Sequence, residues 1–242
     1  MLSVAALFKP ELLAFGDTGY GDELFRGAVR TVEISVLAYA FGITLGLLGA
    51  TGKLSGPKWL RRILEGYTTI VRAVPELVLI LLLFYAGTDG LNKLLIAIGL
   101  GPIEVNGLVA AVCVLGFVQG AYSTEVLRAA IQAVPIGQSE AAMAYGMSPL
   151  LSFRRIMLPA MLPYAIPGMA NLWLNITKDS ALIAVVGYTE LALATRQAAG
   201  VSKQYLMFFL VTAAIYLSIM LVTQPIFNWL ERRVRRGQQK LA

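Results

Sequence analysis

Five stretches of this sequence are almost wholly apolar, and each is about as long as a lipid bilayer is thick. They cover about residues 27–50, 66–86, 105–134, 161–187 and 204–230. A helix needs about 20 apolar residues to cross the hydrocarbon core of a bilayer. Only helices and closed barrels satisfy every backbone N–H and C=O group there, and these stretches do not alternate as barrel strands would. The sequence therefore predicts an all-α integral membrane protein with five transmembrane helices, folded as a single transmembrane domain over residues 1–242.

The composition excludes several classes of function. Only 14% of the 242 residues are charged, and the chain contains no His. This removes His-based general bases, His metal ligands and Ser-His-Asp triads. The single cysteine, Cys113, can form neither an intrachain disulfide nor a zinc cluster. We therefore expect a chain that is not an enzyme and has no metal site or cofactor of its own. Because its basic residues lie between long apolar stretches, its net charge of +6 indicates membrane lipid rather than nucleic acid as a partner.

Lysine and arginine are unevenly distributed between the connections. The connections after the first and third spans, together with the tail after the fifth, contain twelve of them, against five on the opposite side. Such residues concentrate on the cytoplasmic side of membrane proteins. The sequence thus predicts a multi-pass protein with its N-terminus outside and its C-terminus in the cytoplasm. The longest inside connection, about residues 135–160, is too short for a self-standing soluble domain.

That inside connection carries the most informative local pattern. Ser139 is predicted as the N-cap of a short helix over residues 140–145, which Gly146 would end as the residue after the C-cap. Pro149 would then open a second short helical piece, which Pro159 would end. Two such short helices are not stable alone, so we expect them to lie against a partner surface.

The same connection resembles the EAA loop of the integral-membrane permease subunits of ABC importers. The residues that match the spacing of this motif are Glu140, Ala141, Ala142, Gly146, Ile156, Leu158 and Pro159. Other segments resemble the polar-amino-acid branch of that family: residues 72–78 (RAVPELV), Tyr122 with Glu125 and Arg128, and Asn175 with residues 178–182 (KDSAL). Within this branch the resemblance is closest to the histidine/lysine-arginine-ornithine permeases, to which residues 52–55 (GKLS) and 65–69 (EGYTT) are similar. Opine permeases share much of the pattern.

The resemblance implies a type I importer architecture in the bacterial inner membrane. The implied partners are a homologous permease subunit, in a heterodimer, two ATPase subunits and a periplasmic amino acid binding protein. The ATPase would bind ATP and Mg, and segment 137–159 would be the coupling segment that seats in a groove of the ATPase. The implied substrate is a polar, more narrowly a basic amino acid such as histidine, arginine, lysine or ornithine, with an opine as the alternative.

Polar side chains within the spans are the candidates for the translocation pathway, because ionisable groups at membrane depth usually face a bundle interior or water. The candidates are Arg72, Glu76, Tyr122, Asn171, Asn175, Lys178 and Asp179. Asn171, Asn175 and Lys178 share one helix face, and Asp179 lies beside it. The alternative for the two asparagines is hydrogen bonding between packed helices. The alternative for Arg72 with Glu76, and for Glu125 with Arg128, is an ion pair within the protein.

A self-contained secondary carrier is the alternative of a different class. Such carriers are built from paired repeats, and an odd number of spans does not divide into two. Small-residue pairs also occur within the first and third spans, at Gly42 with Gly46 and at Gly116 with Gly120. This spacing predicts that the helices carrying them approach a neighbour closely.

Overall fold

The computed structural model describes residues 9–16 and 19–235, and these form helices and short connections without any strand. The helices are α1 (Gly21–Ser55), α2 (Lys58–Ala73), α3 (Glu76–Ala97), α4 (Gly107–Gln132), α5 (Ile136–Ala144), α6 (Pro149–Ser152), α7 (Leu158–Asp179), α8 (Leu191–Ser202) and α9 (Tyr205–Val234). A π-helical turn, Phe153–Met157, precedes α7, and a 3₁₀ turn, Ser180–Val186, follows it. The expected all-helical class is confirmed. The end of the basic tail, residues 236–242, lies outside the described residues.

Within the described ranges, four helices are long and apolar enough to cross a membrane: α1, α3, α4 and α9. Three of them coincide with the predicted spans 27–50, 105–134 and 204–230. The predicted span 161–187 corresponds to α7 and the 3₁₀ turn after it. α7 is also 22 residues long, but its C-terminal half carries Asn171, Asn175, Lys178 and Asp179, which lower its apolar character.

The predicted second span, residues 66–86, is not one helix. α2 ends at Ala73, Val74 is extended at φ −91° and ψ 139°, and α3 begins at Glu76. Pro75 is the physical cause, since it has no N–H to donate and its ring disfavours helical backbone at the preceding residue. The apolar helix of this region is α3, so it begins at Glu76 rather than at residue 66.

α1 and α4 approach each other closely along their small residues. A Cβ atom added to Gly42 would lie 2.7 Å from Cγ of Gln119, and one added to Gly116 would lie 3.1 Å from the carbonyl oxygen of Ala38. Real Cβ contacts are essentially never shorter than 3.0 Å and are rarely as short as 3.1 Å, so there is little room for more than a hydrogen at these points. The predicted close approach is confirmed, and the neighbour of each glycine pair is the other helix of the same chain.

α7 is fixed in the bundle by hydrogen bonds to two other helices. The Tyr39 hydroxyl on α1 donates to the Met169 carbonyl oxygen at 2.7 Å. Nε1 of Trp173 donates to Oγ1 of Thr223 on α9 at 3.0 Å. Each bond pairs a polar donor with a polar acceptor in an apolar interior, where an unmade hydrogen bond is costly. One edge of α7 is therefore held in place, while Asn171, Asn175 and Lys178 stay exposed on its open face.

Candidate functional site

The EAA-type segment folds as short helices joined by a turn at Gly146. Gly146 has φ +72° and follows the C-cap residue Tyr145. Its N–H donates to the Met143 carbonyl at 2.9 Å, and the Met147 N–H donates to the Ala142 carbonyl at 3.1 Å. This pair of bonds is the Schellman arrangement, which favours glycine because other L residues are strained at positive φ. The predicted helix end at Gly146 is confirmed.

The predicted start of that first short helix is wrong. α5 begins at Ile136, three residues before Ser139, and Pro135 precedes it. The Ser139 hydroxyl donates to the Ile136 carbonyl at 2.8 Å inside the helix instead of capping it. Pro135 sets the start because its fixed φ of −55° suits the entry to a helix and its missing N–H is not needed there.

The predicted helix end at Pro159 is also wrong. The helical run that opens at Pro149 passes through the π turn, where the Leu158 N–H bonds back five residues to the Phe153 carbonyl, and continues into α7. A proline inside an α-helix lacks the ladder hydrogen bond and presses on the preceding turn. The wider π turn lies directly before Pro159, which lets the chain continue without a break.

The motif residues of this segment differ in exposure. Glu140, Ala141, Gly146 and Pro159 are exposed, Ile156 and Leu158 are partly buried, and Ala142 is buried. Large apolar side chains are exposed around Glu140: Ile136, Met143, Tyr145 and Leu150 are 63–85% accessible. An exposed apolar patch next to a charged residue is typical of a surface that binds a protein partner.

A narrow cavity between α3, α4 and α7 brings together four of the seven predicted pathway residues. Glu76, Tyr122, Asn175 and Asp179 line it, together with apolar residues and Gln119. Its free volume is about 20 Å³, enough for one water molecule. Glu76 is the first residue of α3, so the break at Pro75 places the N-terminus of a long helix at this cavity.

The carboxyl groups of Glu76 and Asp179 lie within interaction range of each other, and the Tyr122 hydroxyl lies within range of Glu76. Two acidic groups in a small, largely apolar space attract a cation. Arg72 forms no ion pair with Glu76, whereas the predicted pair of Arg128 with Glu125 is present at 2.8 Å.

The remaining three predicted pathway residues lie outside this cavity. Arg72, Asn171 and Lys178 are exposed. Asn171 and Lys178 share the open face of α7 with Asn175, as their helical spacing predicts. Of these three residues, Asn175 also lines the cavity.

Gln119 is a site residue that the sequence reasoning missed. It is 4% exposed, it lines the cavity, and its Nε2 atom has no hydrogen-bond partner in the described part of the chain. Its side-chain stem lies on Gly42, where no other residue would leave room for it. Buried amides without a partner are rare in folded proteins and call for an explanation, such as a bound water, ion or ligand. The spacing of three residues from Tyr122 was the available signal.

Lys53 belongs to a second group that the sequence reasoning did not assemble. Its Nζ atom lies 2.6 Å from Oγ1 of Thr68 on α2 and 2.6 Å from Oε1 of Glu125 on α4. Oε2 of Glu125 in turn accepts from Nη2 of Arg128 at 2.8 Å. Lys53 and Glu125 are 72 positions apart in the sequence, so only the packing of α1 on α4 brings them together.

Comparison with known proteins places this geometry in a family. Residues 42–236 match the family described as binding-protein-dependent transport system inner membrane component. The histidine/lysine/arginine/ornithine transport system permease protein HisQ of Escherichia coli (strain K12) is 40% identical over 222 residues, which cover 92% of this chain and 97% of HisQ. The nopaline transport system permease protein NocQ of Agrobacterium fabrum is 43% identical over 230 residues, which cover 93% of this chain and 97% of NocQ.

A solved structure agrees with these relatives. The crystal structure of an amino acid ABC transporter with histidines contains a chain that matches with a TM-score of 0.73 at 29% identity, over 88% of this chain and 95% of that one. Sequence family and fold thus lead to the same conclusion. This chain belongs to the binding-protein-dependent transport system inner membrane components, the permease subunits of ABC importers, and has their type I permease fold.

Proposed function

We propose that this chain forms half of the translocation pathway of an ATP-driven importer for polar, more narrowly basic, amino acids. HisQ and NocQ, by their names, serve transport of histidine, lysine, arginine and ornithine and of nopaline. The observation that carries the proposal is the cavity where Glu76 and Asp179 face the unpartnered amide of Gln119. An opine, which is itself an amino acid derivative, is the alternative substrate.

The cavity offers a partner for each end of an amino acid. The carboxyls of Glu76 and Asp179 would bind an ammonium or a cationic side chain through charge-assisted hydrogen bonds. The first N–H groups of α3, at Glu76 and Leu77, have no acceptor within the helix, because Val78 and Leu79 are the first to donate, to the Pro75 carbonyl. With Nε2 of Gln119, these N–H groups would bind the substrate carboxylate at the positive end of the helix dipole.

A free volume of about 20 Å³ cannot hold an amino acid, so the cavity must open during transport. The break at Pro75 separates α2 from α3 at the edge of the cavity and gives two helices that can move relative to each other. A rigid-body rearrangement of this kind exposes a central site to one side of the membrane at a time.

The complete importer would contain a homologous permease subunit in a heterodimer, two ATPase subunits that bind ATP and Mg, and a periplasmic amino acid binding protein. The ATPase would dock on the exposed face of the coupling segment around Glu140, Ala141 and Gly146, with Ile156, Leu158 and Pro159 at its second helix. Ala142 is buried against the chain itself, so its part in coupling would be to fix α5 on the bundle.

Membrane orientation is part of the same proposal. With α7 counted as a span between α4 and α9, which makes five spans in all, the N-terminus lies outside, the connection over residues 98–106 lies outside, and the C-terminus lies in the cytoplasm. A reporter inserted in residues 98–106 should then register as periplasmic, and one fused after Ala242 as cytoplasmic. Reversed signals would contradict the five-span arrangement.

Uptake by the purified complex tests the proposed function. The chain should copurify in detergent with a second permease and an ATPase, and in proteoliposomes the complex should import radiolabelled arginine or histidine only with ATP and a binding protein. Asp179→Asn should lower uptake. Asp89→Asn, which removes an exposed carboxylate that is paired with Lys93 and does not line the cavity, should leave uptake unchanged. Uptake by this chain alone, without an ATPase, would favour a secondary carrier.

A further inference from the structure

A second cavity lies beside the first along α4 and has a different character. Its volume is about 470 Å³, and its charged and amide lining comprises Lys53, Arg61, Glu65, Glu125, Arg128 and Gln132. It lies between the end of α1, the first half of α2 and the end of α4. In the proposed orientation this is the cytoplasmic end of the bundle. Basic and acidic groups are interspersed there, so the cavity suits a ligand that carries both charges.

Two rows of polar residues, one on α2 and one on α4, lie between this larger cavity and the narrow one. On α4 the row is Gln119, Tyr122, Glu125, Arg128 and Gln132, at helical spacings of three and four. On α2 the row is Arg61, Glu65, Thr68 and Arg72, again at spacings of three and four, and Glu76 follows directly after the break. We name this pair of rows the polar seam. It runs from the narrow cavity at Glu76 and Tyr122 to the larger one at Arg61 and Gln132.

One contact spans the polar seam halfway along. Lys53 reaches in from α1 and lies 2.6 Å from both Thr68 in the α2 row and Glu125 in the α4 row. The Lys53 side chain is only 8% exposed and that of Glu125 is 18% exposed. A lysine that is desolvated to this degree needs its carboxylate partner. The contact therefore joins three helices at the point where the seam passes between the two cavities.

We infer that the polar seam is the route by which the transported amino acid leaves the narrow cavity toward the cytoplasm, and that the contact of Lys53 with Glu125 and Thr68 is the gate that closes this route. The inference rests on the proposed function. The larger cavity is then the exit vestibule, in which Arg61 and Arg128 face the carboxylate of the leaving amino acid and Glu65 faces its ammonium group.

The charge arrangement makes this gate reversible. When Lys53 withdraws, Glu125 keeps its bonds from Nε and Nη2 of Arg128, at 3.1 and 2.8 Å. The carboxylate therefore stays paired in the open state, so opening leaves no uncompensated negative charge on α4. Arg128 is itself held by Oε1 of Gln132 at 2.8 Å, so the α4 side of the gate remains in place while the α1 side moves.

Thiol accessibility tests the gate directly. The probe is Tyr122→Cys in a Cys113→Ala background, in the assembled complex, in inside-out vesicles without nucleotide, with a membrane-impermeant thiol reagent. Lys53→Met should raise the labelling rate at position 122 by about fivefold, the effect of losing one charge-assisted contact. Lys53→Arg should restore slow labelling. The matched control is Lys93→Met, which breaks an exposed lysine pair with Asp89 at the same 2.6 Å distance, and it should change nothing.

A double-variant comparison tests whether Lys53 and Glu125 limit labelling through their mutual contact. If Lys53 and Glu125 act as one contact, Lys53→Met with Glu125→Gln should label no faster than Lys53→Met alone. If Lys53→Met fails to assemble, Thr68→Val, which removes the hydroxyl partner of Lys53 without changing charge, should give a smaller rise in labelling. An assembled complex in which Lys53→Met or Thr68→Val labels like the Lys93→Met control would overturn the gate.

The labelling needs no substrate, which separates this inference from the proposed function. A wild-type complex that takes up no amino acid would disprove the proposed function, while the labelling rates would still report whether Lys53 closes the seam. Conversely, normal amino acid uptake with unchanged labelling in Lys53→Met would uphold the proposed function and overturn the gate.

Discussion

The Thr31 hydroxyl on α1 donates a hydrogen bond to the carboxylate of Glu190, with 3.2 Å between Oγ1 and Oε2. Glu190 is fully buried and precedes α8, where its side chain also accepts from the N–H groups of Ala192 and Leu193, at 2.8 and 3.0 Å. The Tyr216 hydroxyl on α9 donates to the same carboxylate at 3.1 Å. One helix cap thus joins three helices.

Replacing Glu190 by Ala should destabilise the protein by about 2–4 kcal/mol, because it removes a helix cap and leaves buried donors without an acceptor. The measurement is thermal unfolding of the purified permease in detergent. Glu104→Ala, which removes an exposed carboxylate from the connection before α4, serves as the control and should unfold at the wild-type temperature. Equal unfolding temperatures for the two variants would show that the cap contributes nothing.

Gly42→Ala should destabilise the bundle by about 1–3 kcal/mol, since the added methyl group would overlap the Gln119 side chain and force the helices apart. The matched control is Gly87→Ala in α3, where a Cβ atom meets nothing within 4 Å. That change should be neutral or stabilising by up to about 1 kcal/mol, because alanine is the better helix former. The prediction fails if both variants unfold alike.

Gly146→Val should uncouple transport from ATP hydrolysis, because valine at φ +72° costs about 1–2 kcal/mol and would distort the turn of the coupling segment. Gly146→Asn should be tolerated better, since asparagine adopts positive φ more readily. Uptake and ATPase activity are measured on the same proteoliposomes. Space is not the cause, since a Cβ atom at this position meets nothing within 4 Å. Normal uptake by Gly146→Val at normal membrane abundance would remove the turn from the mechanism.

Asn175→Cys, in the Cys113→Ala background, should react with a water-soluble thiol reagent at different rates in nucleotide-free and ATP-trapped complexes. The reason is that Asn175 is exposed and also lines the narrow cavity, so its access to water changes as the pathway opens. Glu104→Cys, in the connection between α3 and α4, should react equally in both states. Identical rates at position 175, with normal transport, would reassign this face of α7 to helix packing.

Local patterns predicted the parts of the fold that depend on neighbouring residues. Apolar stretches of bilayer length located α1, α4 and α9, and the turn at Gly146 followed from a helix cap that needs only a few residues. The entry to α3 was misplaced because the apolar stretch continues across Pro75, and hydropathy alone does not register the missing N–H. Pro159 was predicted to end a helix. The helix instead continues through it, because the π turn before it accommodates the proline.

The candidate site depended on contacts between distant positions, and these were harder to predict. Glu76, Tyr122, Asn175 and Asp179 were each identified as costly polar groups at membrane depth, but their meeting in one cavity follows from the packing of α3, α4 and α7. Gln119 was missed although it is a polar amide within the predicted third span, three residues before Tyr122. Lys53 was noticed only within a segment similar to relatives, because its partner Glu125 lies on another helix.

The uninterrupted helical run from Pro149 through the π turn and α7 to Val186 has a mechanical consequence. At about 1.5 Å per residue the run is roughly 55 Å long, with the exposed short helices at one end and Asp179 near the other. A tilt of only about 5° about one end displaces the other by about 5 Å, which exceeds the width of a water molecule. A small rotation at the exposed end is therefore enough, by length alone, to widen a cavity whose free volume is only enough for one water molecule.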